Sequence, residues 1–251
     1  MKIFAVSDIH GFTSILRESL TKAGFEINNP EHLLVVCGDL FDRGKEARQL
    51  IRYLRTIDNK ILIRGNHEDL MYEMIDRGYL MQHDISNGTY NTAQQLGWDE
   101  LIQEVDFRKV KATFDIVTKD MVDYFETKNY IFVHGGIPVT VKDNLPNHYT
   151  RNRDFEFNPE WRTKGDWKQS RWSNGIDMNS KGFNEPNKTI VCGHWHCSYG
   201  YHLWEDSEEF GNYAIWEPFR REGIIAIDRC TAYTKEMNVL VLKDDLIDES
   251  K

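Results

Sequence analysis

The chain has 251 residues, with 31 Lys and Arg against 40 Asp and Glu, and is 40% hydrophobic. That share suffices for a packed core and excludes a disordered or collagen-like chain. A net charge of −9 argues against a nucleic-acid binder working through its overall field, since phosphate-backbone affinity rests on clustered Lys and Arg. Lys2–Ser7 is a short apolar run bounded by polar residues, hence a strand. It passes at once into Ser7-Asp8-Ile9-His10, unlike a signal peptide. Thr13–Ala23 carries Ile15, Leu16, Leu20 and Ala23 at helical spacing and stops at Gly24. His32–Cys37 reads as a strand buried on both faces. Glu46–Arg55 is helical, Lys60–Ile63 is a third strand, and Glu68–Arg77 is a third helix ending at Gly78. The alternation predicts parallel βαβ units covered by helices.

From Tyr79 to about Lys128 no strand pattern appears, and Thr89–Leu96, Leu101–Val105 and Thr118–Phe125 read as short helices of an insertion. Strand signals resume at Asn129–Val133, Thr189–Cys192, Ile224–Ile227 and Val239–Leu242. Asn144–Asn187 is too long for a plain connection and is expected to be a functional loop region. No run approaches the roughly 20 apolar residues of a membrane span. Cys37, Cys192, Cys197 and Cys230 show no C-x-x-C spacing, so reduced, packed thiols in a cytoplasmic protein are expected. The economical reading is one α/β domain over residues 1–251, with a helical insertion at about 79–128.

The strand ends carry the chemistry. Asp8 and His10 follow the first strand, and Asp39 and Asp42 follow the second. Asn66, His67 and Glu68 follow the third; His134 follows Asn129–Val133; His194 and His196 follow Thr189–Cys192. Open parallel sheets bind ligands just outside the carboxyl ends of their strands. Mixed Asp, His and Asn donors suit divalent Mn, Fe or Zn better than Mg or Ca. The donors outnumber what one tetrahedral ion takes, and two ions sharing a carboxylate would use them all. Each donor has a plainer reading alone: Asp8 or Asp39 as a helix cap, His134 as a satisfied core histidine. Five strand ends together favour the ligand reading.

These residues resemble the calcineurin-like metallophosphoesterases, and most closely their phosphoprotein-phosphatase branch, which includes bacterial and phage Ser/Thr phosphatases and diadenosine tetraphosphatases. The segments are Asp8-Ile-His10-Gly11, Gly38-Asp39-Leu-Phe-Asp42-Arg43-Gly44, Arg64-Gly65-Asn66-His67-Glu68, His134-Gly135-Gly136 and Gly193-His194. The resemblance implies a β-sandwich flanked by helices, refining the parallel-sheet expectation. It implies that Asp8 and His10 hold one metal, that Asp39 bridges, and that Asn66, His134 and His194 hold the second. A hydroxide bridging the metals would attack phosphorus. His67 would be the general acid, oriented by Asp42, and Arg43 would bind the phosphate together with Asn66. An imidazolium paired with a carboxylate is a sound proton donor near pH 7, and an Arg fork matches two phosphate oxygens. The family's second phosphate arginine is expected at Arg171, with Arg151, Arg153 and Arg162 as competitors.

His196 departs from the phosphoprotein-phosphatase pattern, which carries Thr there. One intervening extended residue would point His194 and His196 to the same face, so His196 is expected to ligate the first metal. The alternative is a hydrogen bond to Asp8 or to a metal-bound water. The expected reaction is hydrolysis of phosphomonoesters, phosphoserine or phosphothreonine in proteins among them. The alternative is a phosphodiesterase or pyrophosphohydrolase acting on a small nucleotide such as diadenosine tetraphosphate. For that, Tyr149, Trp161, Trp167 and Trp172 could stack a base, with core or lid packing as their plainer role. A metal-holding but inactive regulatory domain is the third reading, and the intact Asn66-His67 and Asp42-Arg43-Gly44 segments argue against it.

Overall fold

A computed structural model describes residues 1–142 and 155–246 of the chain. Its first third follows the expected alternation: β1 (Lys2–Val6), α1 (Thr13–Lys22), β2 (His32–Cys37), α2 (Ala47–Arg55), β3 (Lys60–Ile63) and α3 (Asn66–Arg77). The segment after α3 holds α4 (Gln82–Ser86), α5 (Thr89–Gly97), a small hairpin of β4 (Trp98–Asp99) with β5 (Glu104–Val105), and α6 (Phe107–Thr118). Next come β6 (Phe125–Glu126), β7 (Tyr130–Phe132), β8 (Val139–Val141) and β9 (Phe155–Phe157). The short helices α7 (Trp161–Lys164), α8 (Trp167–Ser170) and α9 (Gly175–Ser180) precede β10 (Thr189–Cys192) and α10 (Cys197–Trp204). The described chain closes with β11 (Phe219–Arg221), β12 (Ile224–Ala226), α11 (Thr231–Thr234) and β13 (Leu240–Lys243).

Two of the expected helices are corrected. The segment Leu101–Val105 forms the turn and second strand of the β4–β5 hairpin, with Leu101 exposed at its tip. The helix expected at Thr118–Phe125 lies earlier, at Phe107–Thr118. There Asp106 accepts a capping hydrogen bond from the Arg108 amide, and Val110, Phe114 and Val117 recur on one buried face.

Period-2 alternation then decides the architecture. One sheet runs β13-β1-β2-β3, parallel except for β13; the other runs β11-β12-β10-β7-β6, with β12, β10 and β7 parallel. Ile3, Ala5, Leu33, Val35 and Cys37 of the first sheet pack against Phe132, Val191 and Ile225 of the second. Their neighbours Phe4, Val6, Leu34 and Val36 face outward onto helical residues such as Leu16, Leu50, Met71 and Phe114. On the far side, Ile131, Val133, Ile190 and Cys192 pack with Ile176 and Met178 of α9. The result is a β-sandwich with helices on both outer faces, as the resemblance implied.

Candidate metal centre

The turns after β1, β2, β3, β7 and β10 meet at one edge of the sandwich. Among the described residues, ten non-glycine residues have positive φ, and seven belong to this edge: Asp8, His10, Asp39, Asp42, Arg43, His194 and Cys230. Left-handed backbone strains an L side chain, and such strain gathers where function requires a fixed geometry. Two glycines admit the tight approach. A Cβ at Gly65 would overlap the Asp39 carboxylate, and one at Gly193 would overlap that of Asp8.

Asp39 is only 2% exposed and stands between two groups of donors. Its Oδ2 lies 3.8 Å from Nε2 of His10 and 3.8 Å from Nε2 of His67, while its Oδ1 lies 3.4 Å from Nε2 of His134. Ligand atoms of His10, Asp39 and His67 lie within 4.8 Å of one another, and so do those of Asp39, His134 and His194. Asp8 Oδ1 joins the first group 4.0 Å from His10 Nε2, and Asn66 Oδ1 joins the second 2.8 Å from His134 Nε2.

Backbone carbonyls fix the tautomers. Nδ1 of His10 donates to the Phe41 carbonyl over 2.7 Å, and Nδ1 of His134 donates to the Cys37 carbonyl over 2.8 Å. Each Nε2 is thereby left as a lone pair facing the centre, the arrangement a metal-ligating imidazole requires. His194 is oriented by a hydrogen bond to the Trp172 backbone, and its own amide donates to Asp8 over 3.0 Å.

Charge crowding fits divalent cations. Burial, reinforced by the charges of Asp228 and Asp39, pushes the Asp8 carboxyl well above its ordinary range. Burial also pushes Asp228 up to about 6. For Asp39, burial pushes upward but the imidazoles of His134, His67, His10 and His194 outweigh it and hold the carboxyl low. Burial drives His10 well below its usual value, and burial with the charge of His134 drives His194 down to about 3. Carboxylates crowded among imidazoles are a donor set that positive ions satisfy.

Beside these donors, His67 Nδ1 donates to Asp42 Oδ2 over 2.7 Å. Burial opposes the charged imidazole of His67, but Asp39 and Asp42 prevail and raise its pKa. Asp42 is held in turn by α5: Thr89 donates its hydroxyl to Oδ2 over 2.8 Å, and the Asp42 amide donates to the Thr92 hydroxyl over 2.9 Å. Arg43 is exposed in the lining of the same cavity, of about 290 Å³. It has no hydrogen-bond or ion-pair partner among the described residues.

Residues 1–218 match the sequence model of the calcineurin-like phosphoesterases. The chain belongs to that family. An asymmetrical bis(5'-nucleosyl)-tetraphosphatase of Bacillus subtilis is 27% identical over 161 residues, or 60% of this chain and 62% of that one. A symmetrical bis(5'-nucleosyl)-tetraphosphatase of Buchnera aphidicola is 38% identical over 69 residues, or 27% of this chain and 24% of that one. The chain thus spans less than two thirds of the length of these relatives. Among solved structures, a cold-active protein-tyrosine phosphatase of a psychrophilic Shewanella shares the fold. Its TM-score is 0.50 at 16% identity, covering 96% of this chain and 75% of that one.

In this calcineurin-like phosphoesterase not every expected site residue joins the centre. Arg171 is 7% exposed and already committed. It donates to both oxygens of Asp69 over 2.7 and 3.2 Å and to Asp123 over 2.7 Å, tying α3 to the end of α8. Its spacing before His194 was compatible with a phosphate clamp, but two carboxylates occupy the guanidinium. Arg162 is likewise paired, with Glu126 and Glu185; Arg151, Arg153 and Tyr149 lie outside the described residues.

His196 lines the cavity together with the donors but pairs with Glu209 over 2.9 Å. The same-face expectation fails because His194 is left-handed, at φ 64°, so the segment is not extended. Trp161 is fully buried with Trp167 and Tyr124 alongside, which makes Trp161 core; Trp172 does line the cavity.

Sequence reasoning assigned no role to four residues at this edge. Glu68 accepts from the amides of Asp39, Leu40 and Gly65, stitching two ligand turns together; its place three residues after Gly65, in the pattern of a capping box, was a readable signal. Asp228 accepts from the Cys230 amide and closes the Asp8 side of the cavity. Thr89 and Thr92 carried no local signal at all.

Proposed function

We propose that this chain hydrolyses phosphomonoesters at a pair of divalent ions, held by Asp8, His10 and Asp39 on one side and by Asp39, Asn66, His134 and His194 on the other. The observation that carries this is Asp39, whose two carboxylate oxygens face two different groups of histidines. The donor set suits Mn, Fe or Zn. When bound, such ions neutralise phosphate charge and lower the pKa of water towards neutrality. The chain's own residues supply the rest. Arg43 binds phosphate oxygens beside Asn66, and His67, oriented by Asp42, protonates the leaving alkoxide. The four free thiols fit a reducing compartment, the cytoplasm.

Phosphoserine and phosphothreonine in proteins form one substrate class within this reading. The second reading, cleavage of a small nucleotide such as diadenosine tetraphosphate, is favoured by the names of the relatives. Protein loaded with Mn should release phosphate from p-nitrophenyl phosphate. Side-by-side assays with bis-p-nitrophenyl phosphate, a phosphothreonine peptide and diadenosine tetraphosphate separate the classes. Elemental analysis should find two ions per chain, and Asp39→Asn should lose both together. A count of one, or loss of a single ion in that variant, overturns the shared site.

A further inference from the structure

The cavity that contains the donors continues beyond them, on the side of His196, to an aromatic wall. We propose that Phe210, backed by His196, Trp216 and Tyr233, is a stacking platform for a nucleobase carried by the phosphoester; this rests on the phosphoester reading above and names the substrate class of the same site. Phe210 lines the cavity and is 47% exposed, unusual for a phenyl ring held by so many neighbours. Its ring centroid lies 4.8 Å from that of His196, 5.8 Å from Trp216 and 5.6 Å from Tyr233. Trp216 and Tyr233 also pack on each other at 5.6 Å. The ion pair of His196 with Glu209 fixes the residue next to Phe210 in the chain. A ring fixed in this way loses little freedom when a ligand stacks on it, so more of the contact energy appears as affinity.

Distance from the donors selects the kind of aromatic group. Among the described ring contacts Phe210 meets His196 but none of His10, His67, His134 and His194. An aromatic group that reaches Phe210 while its phosphate sits at the donors is therefore set back by a spacer. A base stands a ribose away from its 5'-phosphate and meets that condition, whereas a phenyl ester places its ring directly on the phosphate oxygen. Trp172, packed beside His194 at 6.1 Å, lines the same cavity nearer the donors. Stacking tolerates every base because each has a π-face, so the platform predicts preference for a nucleotide without choice among bases. It also gives the His196 departure a positioning role: the imidazole anchors the wall.

The test compares adenosine 5'-monophosphate with ribose 5-phosphate, which share the same phosphorylated primary carbon and differ in the base. Calorimetric titration of the Mn-loaded protein should show the nucleotide binding roughly 5- to 150-fold more tightly, the range of one base–aromatic stack. Phe210→Ala should collapse that ratio towards one, and Phe210→Tyr should keep most of it. Equal affinities in the unmodified protein, or an undiminished ratio in Phe210→Ala, overturn the proposal. Phosphotyrosine against phosphoserine is the second arm. A preference there that depends on Phe210, without one for the nucleotide, would assign the wall to a phenyl ester and reject the nucleobase. Hydrolysis of p-nitrophenyl phosphate is scored separately. Absent turnover with an intact nucleotide preference rejects the hydrolase reading alone, and turnover without the preference rejects the platform alone.

Discussion

Asp42 accepts the Nδ1 proton of His67 over 2.7 Å. That bond fixes the tautomer and leaves Nε2 of His67 directed at the cavity, 3.8 Å from the shared Asp39 carboxylate. A proton carried there sits beside the centre, where a leaving oxygen would need it.

Replacing His67 by Asn should therefore slow substrates according to their leaving groups. Phosphoserine, with an alkoxide to protonate, should lose about 10²–10⁴-fold in kcat, the usual worth of general acid catalysis. p-Nitrophenyl phosphate should lose much less, because its phenolate departs with little proton assistance. Equal losses on the two substrates would remove the acid role from His67.

Helix α5 reaches Asp42 through Thr89. Thr89→Val keeps the shape and removes the hydroxyl that donates to Asp42. Hydrogen bonds to charged groups are worth about 1.5–3 kcal/mol, so kcat on phosphoserine should fall about tenfold or more. The effect on p-nitrophenyl phosphate should be smaller, and circular dichroism should show the fold intact. A Thr89→Val protein with unchanged phosphoserine turnover would disconnect α5 from catalysis.

Arg171 and Arg43 should behave differently. Arg171→Met strands the buried Asp69 beside Asp123, and breaking a buried pair costs about 3–5 kcal/mol. Urea unfolding should show that loss, while KM for p-nitrophenyl phosphate stays near the unmodified value. Arg43→Ala should do the reverse, raising KM with little change in the unfolding midpoint. A raised KM in Arg171→Met would restore its candidacy as a phosphate clamp.

Metal-free protein should weaken in acid because of its buried imidazoles. Burial holds His134 below the ordinary histidine value despite the charge of Asp39. The folded chain then stays neutral at this site while the unfolded chain takes a proton below about pH 6.5. The stability tied to His134 is full above that pH and is lost as pH falls towards the depressed folded value. Urea midpoints of metal-free protein should thus fall more steeply between pH 7.5 and pH 5.5 than those of His134→Asn. Parallel slopes would show that His134 does not contribute to the acid sensitivity.

The strand ends were legible because each couples an apolar run to a polar donor within a few residues, and Asp8, His10, Asp39, Asn66, His134 and His194 all reach one edge. The second sheet was harder to read. Its strands β7, β10 and β12 are short, and pairing joins β7 to β10 across 59 residues and β10 to β12 across 34, a relation that local periodicity does not encode. His196 was harder to place because period-2 reasoning presumes extended backbone, whereas the backbone at His194 is left-handed. The partners of Arg171, Asp69 and Asp123, lie 102 and 48 residues away, so its pairing carried no local signal. Phe210 sits in a stretch with no strand or helix pattern, so only the folded chain reveals its neighbours.

The left-handed backbone at this edge also shapes which substitutions the chain can accumulate. β-Branched residues are poorly accommodated at positive φ, so Val, Ile and Thr are disfavoured at positions 10, 43, 194 and 230 on steric grounds alone. Asn, Asp and Gly remain the easy exchanges there. A saturation library scored only for folding should therefore already outline the centre. Cys230, which this structure gives no ligand role, would appear on that map beside the histidines, and its change to Gly should be among the best tolerated.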